Sequence, residues 1–331
     1  MEKSVLLVGG AGFIGSHIAE RLVKDDYRVV VVDDLSTGKI GNIEKLNQYD
    51  NFEFEKVDIR DFEQLEKLFE KYRPQIVNHH AAQKSVPYSI DDPIMDESIN
   101  IKGLLNLIVL SGKYKIESFT FASSGGALSG DIDEGEQSVE NDTPQLMSPY
   151  AISKYTGEKY IKLYSELYGF KYTILRYANV YGPRQIVDGE SGVIPIFMNN
   201  ILEGKTSTLM AYEDMPKGCI RDYIYVSDVV EANMISVKKP LNTVVNIGTG
   251  KEISILDVYH ILQEKFETDL EIKKVGPRKG DIRRSVLCIN KVSELCGWKP
   301  KVDIEEGIYK LKEYYKNPYL NKRKLDIKIK V

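Results

Sequence analysis

Cysteine is scarce in this chain: Cys219, Cys288 and Cys296 are all it has in 331 residues. An odd number without metal-ligand spacing excludes a disulfide framework and a zinc-type centre, and buried free thiols are the expectation. Histidines are adjacent only at His79-His80. Neighbours on a strand point to opposite faces, so this pair predicts no metal site. No apolar run has the length of a membrane span. The first core strand starts a few residues after Met1, which leaves no room for a secretory leader, and a cytoplasmic protein is expected. An excess of positive charge is missing too. Lys and Arg number 45 against 49 Asp and Glu, a formal charge of −4, so no global attraction for nucleic acid or an anionic membrane is expected.

What is present begins at once. An apolar run, Val5-Leu6-Leu7-Val8, feeds directly into Gly9-Gly10-Ala11-Gly12-Phe13-Ile14-Gly15, which reads as strand, glycine turn and helix start. Gly10, Gly12 and Gly15 fit G-x-G-x-x-G, while Gly9, Gly12 and Gly15 fit the wider G-x-x-G-x-x-G. Both spacings serve one geometry. A side chain at the turn would hold a pyrophosphate away from the backbone N–H groups, and one at the third glycine would push the helix off the strand. The helix N-terminus then offers unpaired N–H groups and the positive end of its dipole to the phosphates. A glycine triplet alone is weak evidence; an amphipathic continuation over 16–24 and a second, Val-rich strand over 27–32 supply its context. That strand ends on Asp33, where a carboxylate meets the ribose hydroxyls of an adenosine. Asp33 and Asp34 would repel a 2′-phosphate, and Ser36-Thr37-Gly38 holds no arginine to receive one, so the expected cofactor is NAD and not NADP.

Strand and helix then alternate: a short helix over 41–49, a strand over 52–57, a helix over 62–72 stopped by Pro74, a strand over 75–80, a helix over 98–110 and a strand over 118–122. This predicts an α/β fold with a doubly wound parallel sheet and a ligand at the carboxyl ends of its strands. The last of these strands runs into Ser123-Ser124-Gly125-Gly126, and Ser148-Pro149-Tyr150-Ala151-Ile152-Ser153-Lys154 follows. Pro149 starts a helix on which Tyr150 and Lys154 share a face one turn apart. A tyrosine titrates near pH 10 in water; an ammonium about 5 Å away, at an effective dielectric near 20, would favour its phenolate by roughly 3 kcal/mol, or about two pKa units. The positive nicotinamide of NAD would push the same way, towards the range where a general base works. Tyr and Lys at this spacing are common on exposed helices. The catalytic reading rests on their pairing with a strand-end serine and a dinucleotide site.

With these motifs the chain resembles the extended short-chain dehydrogenase/reductases, in the NAD-dependent epimerase/dehydratase group, and within it the UDP-glucose 4-epimerases. The likeness continues through Asp58-Ile59-Arg60-Asp61, His80-Ala81-Ala82, Asn100, Leu175-Arg176-Tyr177-Ala178-Asn179-Val180-Tyr181-Gly182-Pro183-Arg184, Arg221-Asp222-Tyr223, Asn246-Ile247-Gly248-Thr249-Gly250 and Arg278-Lys279-Gly280-Asp281. It implies a Rossmann-like domain over 1–178, to which 223–250 returns, and a smaller nucleotide-sugar-binding domain over 179–331. It implies NAD contacts from Gly9, Gly12, Phe13, Ile14, Gly15, from Asp33, Asp34, Leu35, Ser36, Thr37, Gly38, and from Ala178. By the same likeness Asp58 and Ile59 meet the adenine, Ala81, Ala82 and Lys84 border the nicotinamide, and Asn100 supports the region of Tyr150 and Lys154. For a nucleotide-sugar substrate, Asn179, Gly192, Val193, Arg221 and Arg278 match diphosphate-binding positions, and two guanidiniums suit a diphosphate because each grips oxygens in a planar fork. Lys84, Ser124, Tyr150, Asp281 and Ser285 complete the implied substrate set.

The implied reaction is 4-epimerisation of a UDP-hexose. Tyr150 takes the proton from the sugar 4-hydroxyl, one of the two strand-end serines orients that hydroxyl, Ser124 in preference to Ser123, and Lys154 lowers the Tyr150 pKa and holds the nicotinamide ribose. A dehydratase or decarboxylase of the same family shares the first oxidation; a non-catalytic NAD-binding sensor or scaffold would keep the fold alone. Sugar dehydratases carry acidic side chains just after the catalytic Ser or Thr, where this chain has Gly125-Gly126. Where the family has Val-Tyr-Gly, it has Leu128-Ser129-Gly130. A tyrosine at the position of Ser285 crowds an N-acetyl group, so Ser285 predicts that UDP-N-acetylhexosamines are accepted too. The family pairs two helices per subunit in a homodimer, with Leu104, Ile108, Ile161 and Leu167 as the apolar positions here. The acidic segment 131–142 is expected to be a solvated loop without chemistry, and Lys322-Arg323-Lys324 with the basic run 328–330 a solvated tail.

Overall fold

Runs of β-branched residues build the centre of the molecule. β1 (Ser4–Val8) and β2 (Arg28–Val32) are buried almost throughout, because helices cover both faces of the sheet they belong to. β3 (Phe52–Glu55), β4 (Ile76–His79), β5 (Ser118–Ser124), β6 (Lys171–Tyr177) and β7 (Thr243–Ile247) complete a seven-stranded parallel sheet in the order β7-β6-β5-β4-β1-β2-β3. The computed structural model describes residues 3–187, 192–278 and 281–316. The basic C-terminal run, Lys279-Gly280 and residues 188–191 lie outside the described residues.

Alternation within each strand sorts the side chains. Leu6, Val8, Val30 and Val32 pack with the helices Phe62–Tyr72, Gly103–Lys113 and Pro149–Tyr168. Val5, Leu7, Val29 and Val31 pack with Phe13–Lys24 and Val226–Lys238 on the other face. The direction of strand succession reverses between β1 and β4, and the crevice at their carboxyl ends is where open α/β sheets take their ligands.

Several expected elements differ in detail. Residues 41–49 form two 3-10 turns, Ile40–Asn42 and Glu44–Gln48. The helix expected over 98–110 begins with a π turn, Ser98–Lys102, before Gly103–Lys113. β5 runs through both serines, because β6 extends far enough to pair Ser123 with Arg176 and Ser124 with Tyr177.

Beyond β6 the elements are smaller. Asn179–Tyr181 pairs with Tyr223–Tyr225, Ser207–Met210 with Ile272–Val275, and Ile220–Arg221 lies between Ile253–Ser254 and Arg284–Ser285. Helices Val193–Leu202, Ile255–Phe266 and Ile304–Lys316 close a second core around Tyr181, Phe197 and Tyr259. The chain returns to the large sheet twice in its second half, as the helix Val226–Lys238 on one face and as β7 on the edge beside β6.

Three expectations need correction. Cys219 is buried, but Cys288 and Cys296 are partly exposed. Leu104, Ile108 and Ile161 are fully buried in the core under the sheet, so they are not free to form a subunit contact; Leu167 is 64% exposed. The 131–142 segment is tied down and not simply solvated. Asp131 accepts the backbone N–H groups of Arg283 and Arg284, Glu140 accepts that of Asn246 at 2.8 Å, and Ser138 bridges to Leu287. Among the described residues no helix is long and apolar enough to cross a membrane.

Candidate active site

The glycine turn is a place where backbones touch. Gly9 has φ +80°, and a Cβ there would lie 2.4 Å from the Ala81 nitrogen. A Cβ on Gly15 would lie 2.2 Å from the Gly9 carbonyl oxygen, and one on Gly12 3.2 Å from the same atom. A Cβ on Gly10 would instead meet Val31, 2.7 Å from its Cγ2. The wider spacing, Gly9, Gly12 and Gly15, therefore makes the cradle, and Gly10 lets the turn sit on β2. Gly12 caps the helix Phe13–Lys24 without a side-chain hydrogen bond, so the helix N-terminus beside Phe13 and Ile14 faces the crevice with its own N–H groups.

Asp33 is fixed over this turn. Its Oδ2 accepts the Ala11 N–H at 3.0 Å and its Oδ1 the Leu35 N–H at 2.9 Å. Burial pushes its carboxyl above the usual range, opposed by those two bonds. A Cβ on Gly38 would lie 2.5 Å from Asp33 Oδ1, so the Ser36-Thr37-Gly38 loop folds over the carboxylate. Asp34 accepts from the Ser36 N–H and hydroxyl at 2.9 and 2.6 Å. Asp58 is gripped by Arg60, through Nε at 3.0 Å and Nη2 at 2.6 Å, which holds its carboxyl low. Ile59 packs on Gly103, and the Ala178 N–H donates to the Ile247 carbonyl at 2.9 Å across the β6 and β7 ends. A turn with no Cβ at its three close-approach positions, Gly9, Gly12 and Gly15, a helix N-terminus without a side-chain cap and a carboxylate at the end of β2 fit NAD.

The two serines at the end of β5 face opposite ways, as neighbours on a strand must. Ser123 donates to Glu158 Oε1 at 2.6 Å, and Glu158 is held by the Arg176 guanidinium through bonds of 2.8 and 2.7 Å. Ser124 caps the short helix Gly125–Ser129, accepting the Ala127 N–H at 3.3 Å, and hydrogen-bonds Tyr150. Ser148 caps the helix Pro149–Tyr168, with Pro149 in its first turn. The Tyr150 N–H donates to the Ser89 hydroxyl at 3.2 Å, which fixes the first turn against the helix Val86–Asp91.

Lys154 sets a correction. Its Nζ donates to the Ala122 carbonyl at 3.0 Å and lies 4.9 Å from the Phe121 ring centre and 5.9 Å from that of Tyr150. Burial pushes this ammonium down to about 8, opposed by the charges of Asp96 and Glu158. Tyr150 is pushed up to about 12, by burial first; its bond with Ser124 acts downward and the Asp96 charge upward. Among the chain's own groups Lys154 does not lower the phenol as expected, because desolvation outweighs an ammonium directed at a carbonyl.

Asn100 lies in the π turn and clasps the loop after β4: its Oδ1 accepts the Gln83 N–H at 3.0 Å and its Nδ2 donates to the Gln83 carbonyl at 2.9 Å. Its Nδ2 also donates to Asp96 Oδ1 at 3.0 Å. Asp96 is a residue that sequence reasoning missed; its one signal is an acid four residues before Asn100. His80, in the sequence one member of His80-Ala81-Ala82, has its Nε2 3.0 Å from the Tyr177 hydroxyl. Ala81 and Ala82 are partly buried, and Lys84 is exposed on the same loop.

On the other side of the crevice, Ser285 pairs with Arg221 in the short sheet and is only 3% exposed. Its Oγ lies 3.1 Å from Ser129 Oγ and 3.5 Å from where a Cβ on Gly126 would be. Gly126, Ser129 and Ser285 thus meet, the first two on the short helix that Ser124 caps. Asn179 donates through Nδ2 to the Asp222 carbonyl at 3.2 Å, and Arg221 Nη1 to the Ile220 carbonyl at 2.8 Å. Gly192, at φ +86°, opens the helix that Val193 begins. Arg278 is exposed, its carbonyl accepting the Asp281 N–H at 3.3 Å, so its side chain is not gathered with the others.

A model of the NAD-dependent epimerase/dehydratase family matches residues 5–248. The chain is similar to a UDP-glucose 4-epimerase of Thermotoga maritima solved with UDP-glucose, with a TM-score of 0.90 and 41% identity over 96% of this chain and 99% of that one. It is similar to a Thermus thermophilus UDP-glucose 4-epimerase solved with NAD, at 0.89 and 41% over 95% and 99%. A UDP-N-acetylglucosamine 4-epimerase of Methanobrevibacter ruminantium, solved with UDP-N-acetylmuramic acid, gives 0.87 and 34% over 95% and 98%.

Proposed function

The chain belongs to the NAD-dependent epimerase/dehydratase family, and from that premise we propose that it is a UDP-hexose 4-epimerase that keeps its NAD bound. The observation that carries this reading is the meeting of Ser124, Tyr150 and Lys154 at the carboxyl end of β5, beside a glycine cradle with an acidic β2 end. NAD supplies a hydride acceptor that can return the hydride to either face of C4. Tyr150 takes the proton from the sugar 4-hydroxyl, Ser124 orients that hydroxyl, and Lys154 binds the nicotinamide ribose. The 4-keto sugar turns over in the crevice, and Tyr150 gives the proton back.

Elimination would need an acid and a base next to C5 and C6. Both positions after Ser124 are glycine, and a Cβ on Gly125 would lie 2.4 Å from Leu287 Cδ1, so a side chain there would have to displace that leucine. NMR of product mixtures from UDP-glucose, UDP-N-acetylglucosamine and UDP-glucuronate tests the reading. The 4-epimers are expected; a stable 4-keto-6-deoxy product would make the protein a dehydratase, and no turnover of any UDP-hexose with NAD bound would make it a sensor or scaffold.

Ser285 forms part of the sugar wall in this reading, supported by its burial and its contact with Ser129. Overpacking a rigid wall typically costs about 1–3 kcal/mol, roughly tenfold or more in binding. Ser285→Tyr should lose the N-acetylhexosamines while keeping plain hexoses; equal loss of both would remove Ser285 from specificity. The enzyme works as a homodimer in the cytoplasm, where NAD and nucleotide sugars are supplied. Support for the dimer comes from Val109, Ile152, Leu163 and Leu167, which are 38%, 49%, 50% and 64% exposed on the helices Gly103–Lys113 and Pro149–Tyr168.

A further inference from the structure

Asp96, near the end of the helix Pro93–Glu97, has no exposed surface. Its carboxylate takes three side-chain donors: Gln83 Nε2 at 2.9 Å, Asn100 Nδ2 at 3.0 Å and the Ser153 hydroxyl at 2.6 Å. All three are neutral. Glu158, the other buried carboxylate that acts on Lys154, is instead bonded by Arg176. A buried charge bonded only by neutral groups is unfavourable unless a counter-charge lies near. Lys154 follows Ser153 directly in the catalytic helix, and its own bond goes to a carbonyl.

The donors to Asp96 come from three places: the loop after β4, the π turn and the catalytic helix. Single π turns inside helices recur at functional sites, and this one places Asn100 between Gln83 and Asp96. Titratable groups on the elements around Asp96 include Tyr150, Lys154, Tyr155 and Glu158 in the first half of the catalytic helix, with others further along it, Asp92 and Glu97 at the ends of its own helix, Lys102 in the π turn, Tyr88 and Asp91 on the helix Val86–Asp91, Lys84 after β4, and Arg60, which reaches Met95. Of these, Tyr150 and Lys154 are the ones whose pKa the Asp96 charge shifts, both upward.

We infer that Asp96 is a positioning residue for the reaction: it ties the catalytic helix to the π turn and the β4 loop, and its charge keeps Lys154 an ammonium beside the Tyr150 phenol. The inference rests on Tyr150 being the base, so the test reads the phenol itself as well as turnover. In the NAD-loaded protein, phenolate absorbance is titrated for each variant and for the same variant carrying Tyr150→Phe, and the difference belongs to Tyr150. Turnover is measured over the same pH range; with the positive nicotinamide bound, which favours the phenolate, its acid limb reports Tyr150 losing its proton and its alkaline limb Lys154 losing its own.

Asp96→Asn keeps the shape, and its amide can donate to Ser153, but the charge is gone. Both limbs and the Tyr150 titration should fall by about one pH unit. Ser153→Ala keeps the charge and removes one donor dipole from it, so both should rise by a few tenths of a unit. Opposite signs in the two variants are the expected result. Unmoved limbs in a folded Asp96→Asn, or shifts of the same sign in both variants, would leave Asp96 with a packing role only. If Asp96→Asn does not fold, Ser153→Ala decides alone: an upward shift supports the inference and no shift overturns it. If no sugar turns over, the epimerase reading fails, while the phenol titration still decides the role of Asp96.

Discussion

Asp33 serves the turn and the cofactor with one carboxylate. It accepts two backbone N–H groups, from Ala11 and Leu35, so its removal frees the glycine turn as well as taking charge away from the ribose. Asp33→Ala should weaken NAD retention during purification and relax discrimination against NADP; equilibrium binding of both dinucleotides measures this, and a native preference for NADP would refute it. Tyr150→Phe should abolish most turnover while UDP binding persists, because the ring stays and only the proton-transfer group goes; calorimetry with UDP beside an activity assay separates the two. Lys154 gives a prediction with a sign. Its folded pKa of about 8 lies below the ordinary 10.5, so between those values the unfolded chain binds more protons and stability rises with pH. At neutral pH the buried ammonium therefore lowers stability. Lys154→Met should raise the melting temperature at pH 7, by up to about 3 kcal/mol in stability, while turnover is lost. A lower melting temperature would mean that the bond to the Ala122 carbonyl outweighs desolvation.

At the scale of elements, the strand–turn–helix at the start of the chain tolerates change unequally. Gly15→Ala drives a methyl to 2.2 Å from a backbone oxygen, whereas Gly12→Ala brings one to 3.2 Å. Gly15→Ala should lose NAD binding and several degrees of thermal stability; Gly12→Ala should keep near-native stability and lose NAD affinity alone. Thermal melts with and without NAD distinguish the two. This unit was legible in the sequence because its determinants are local: glycine spacing, a β-branched run and an acid at the end of β2. The helix Phe62–Tyr72 was readable to the residue for the same reason, with Pro74 as its stop signal just beyond it. Asp96 was not legible. Its partners lie 13 residues before it and 4 and 57 after it, and no local pattern marks an acid whose donors come from three elements. The acidity of Tyr150 was misjudged for a related reason. Helical spacing gives the distance to Lys154, but burial is a property of the assembled site.

The subunit contact is decided at the scale of the whole molecule. Ile152, Leu163 and Leu167 follow one another at helical spacing on one exposed stripe, and light scattering at micromolar concentration should give a dimer. Leu163→Glu with Leu167→Glu should give a monomer of unchanged fold; a monomeric native protein would show that the stripe has another purpose.

The placement of β7 also matters while the protein is being made. When the ribosome has released β6, that strand's outer edge is bare, and Val230, Met234 and Val237 are not yet there to cover the β1 and β2 face. An open parallel edge invites pairing with other chains. Roughly seventy more residues must emerge before Thr243–Ile247 can close it, on the order of ten seconds at ribosomal speeds. The first half of the chain thus leaves the exit tunnel as a sticky intermediate, and crowded translation of this message should depend on chaperones that hold nascent chains.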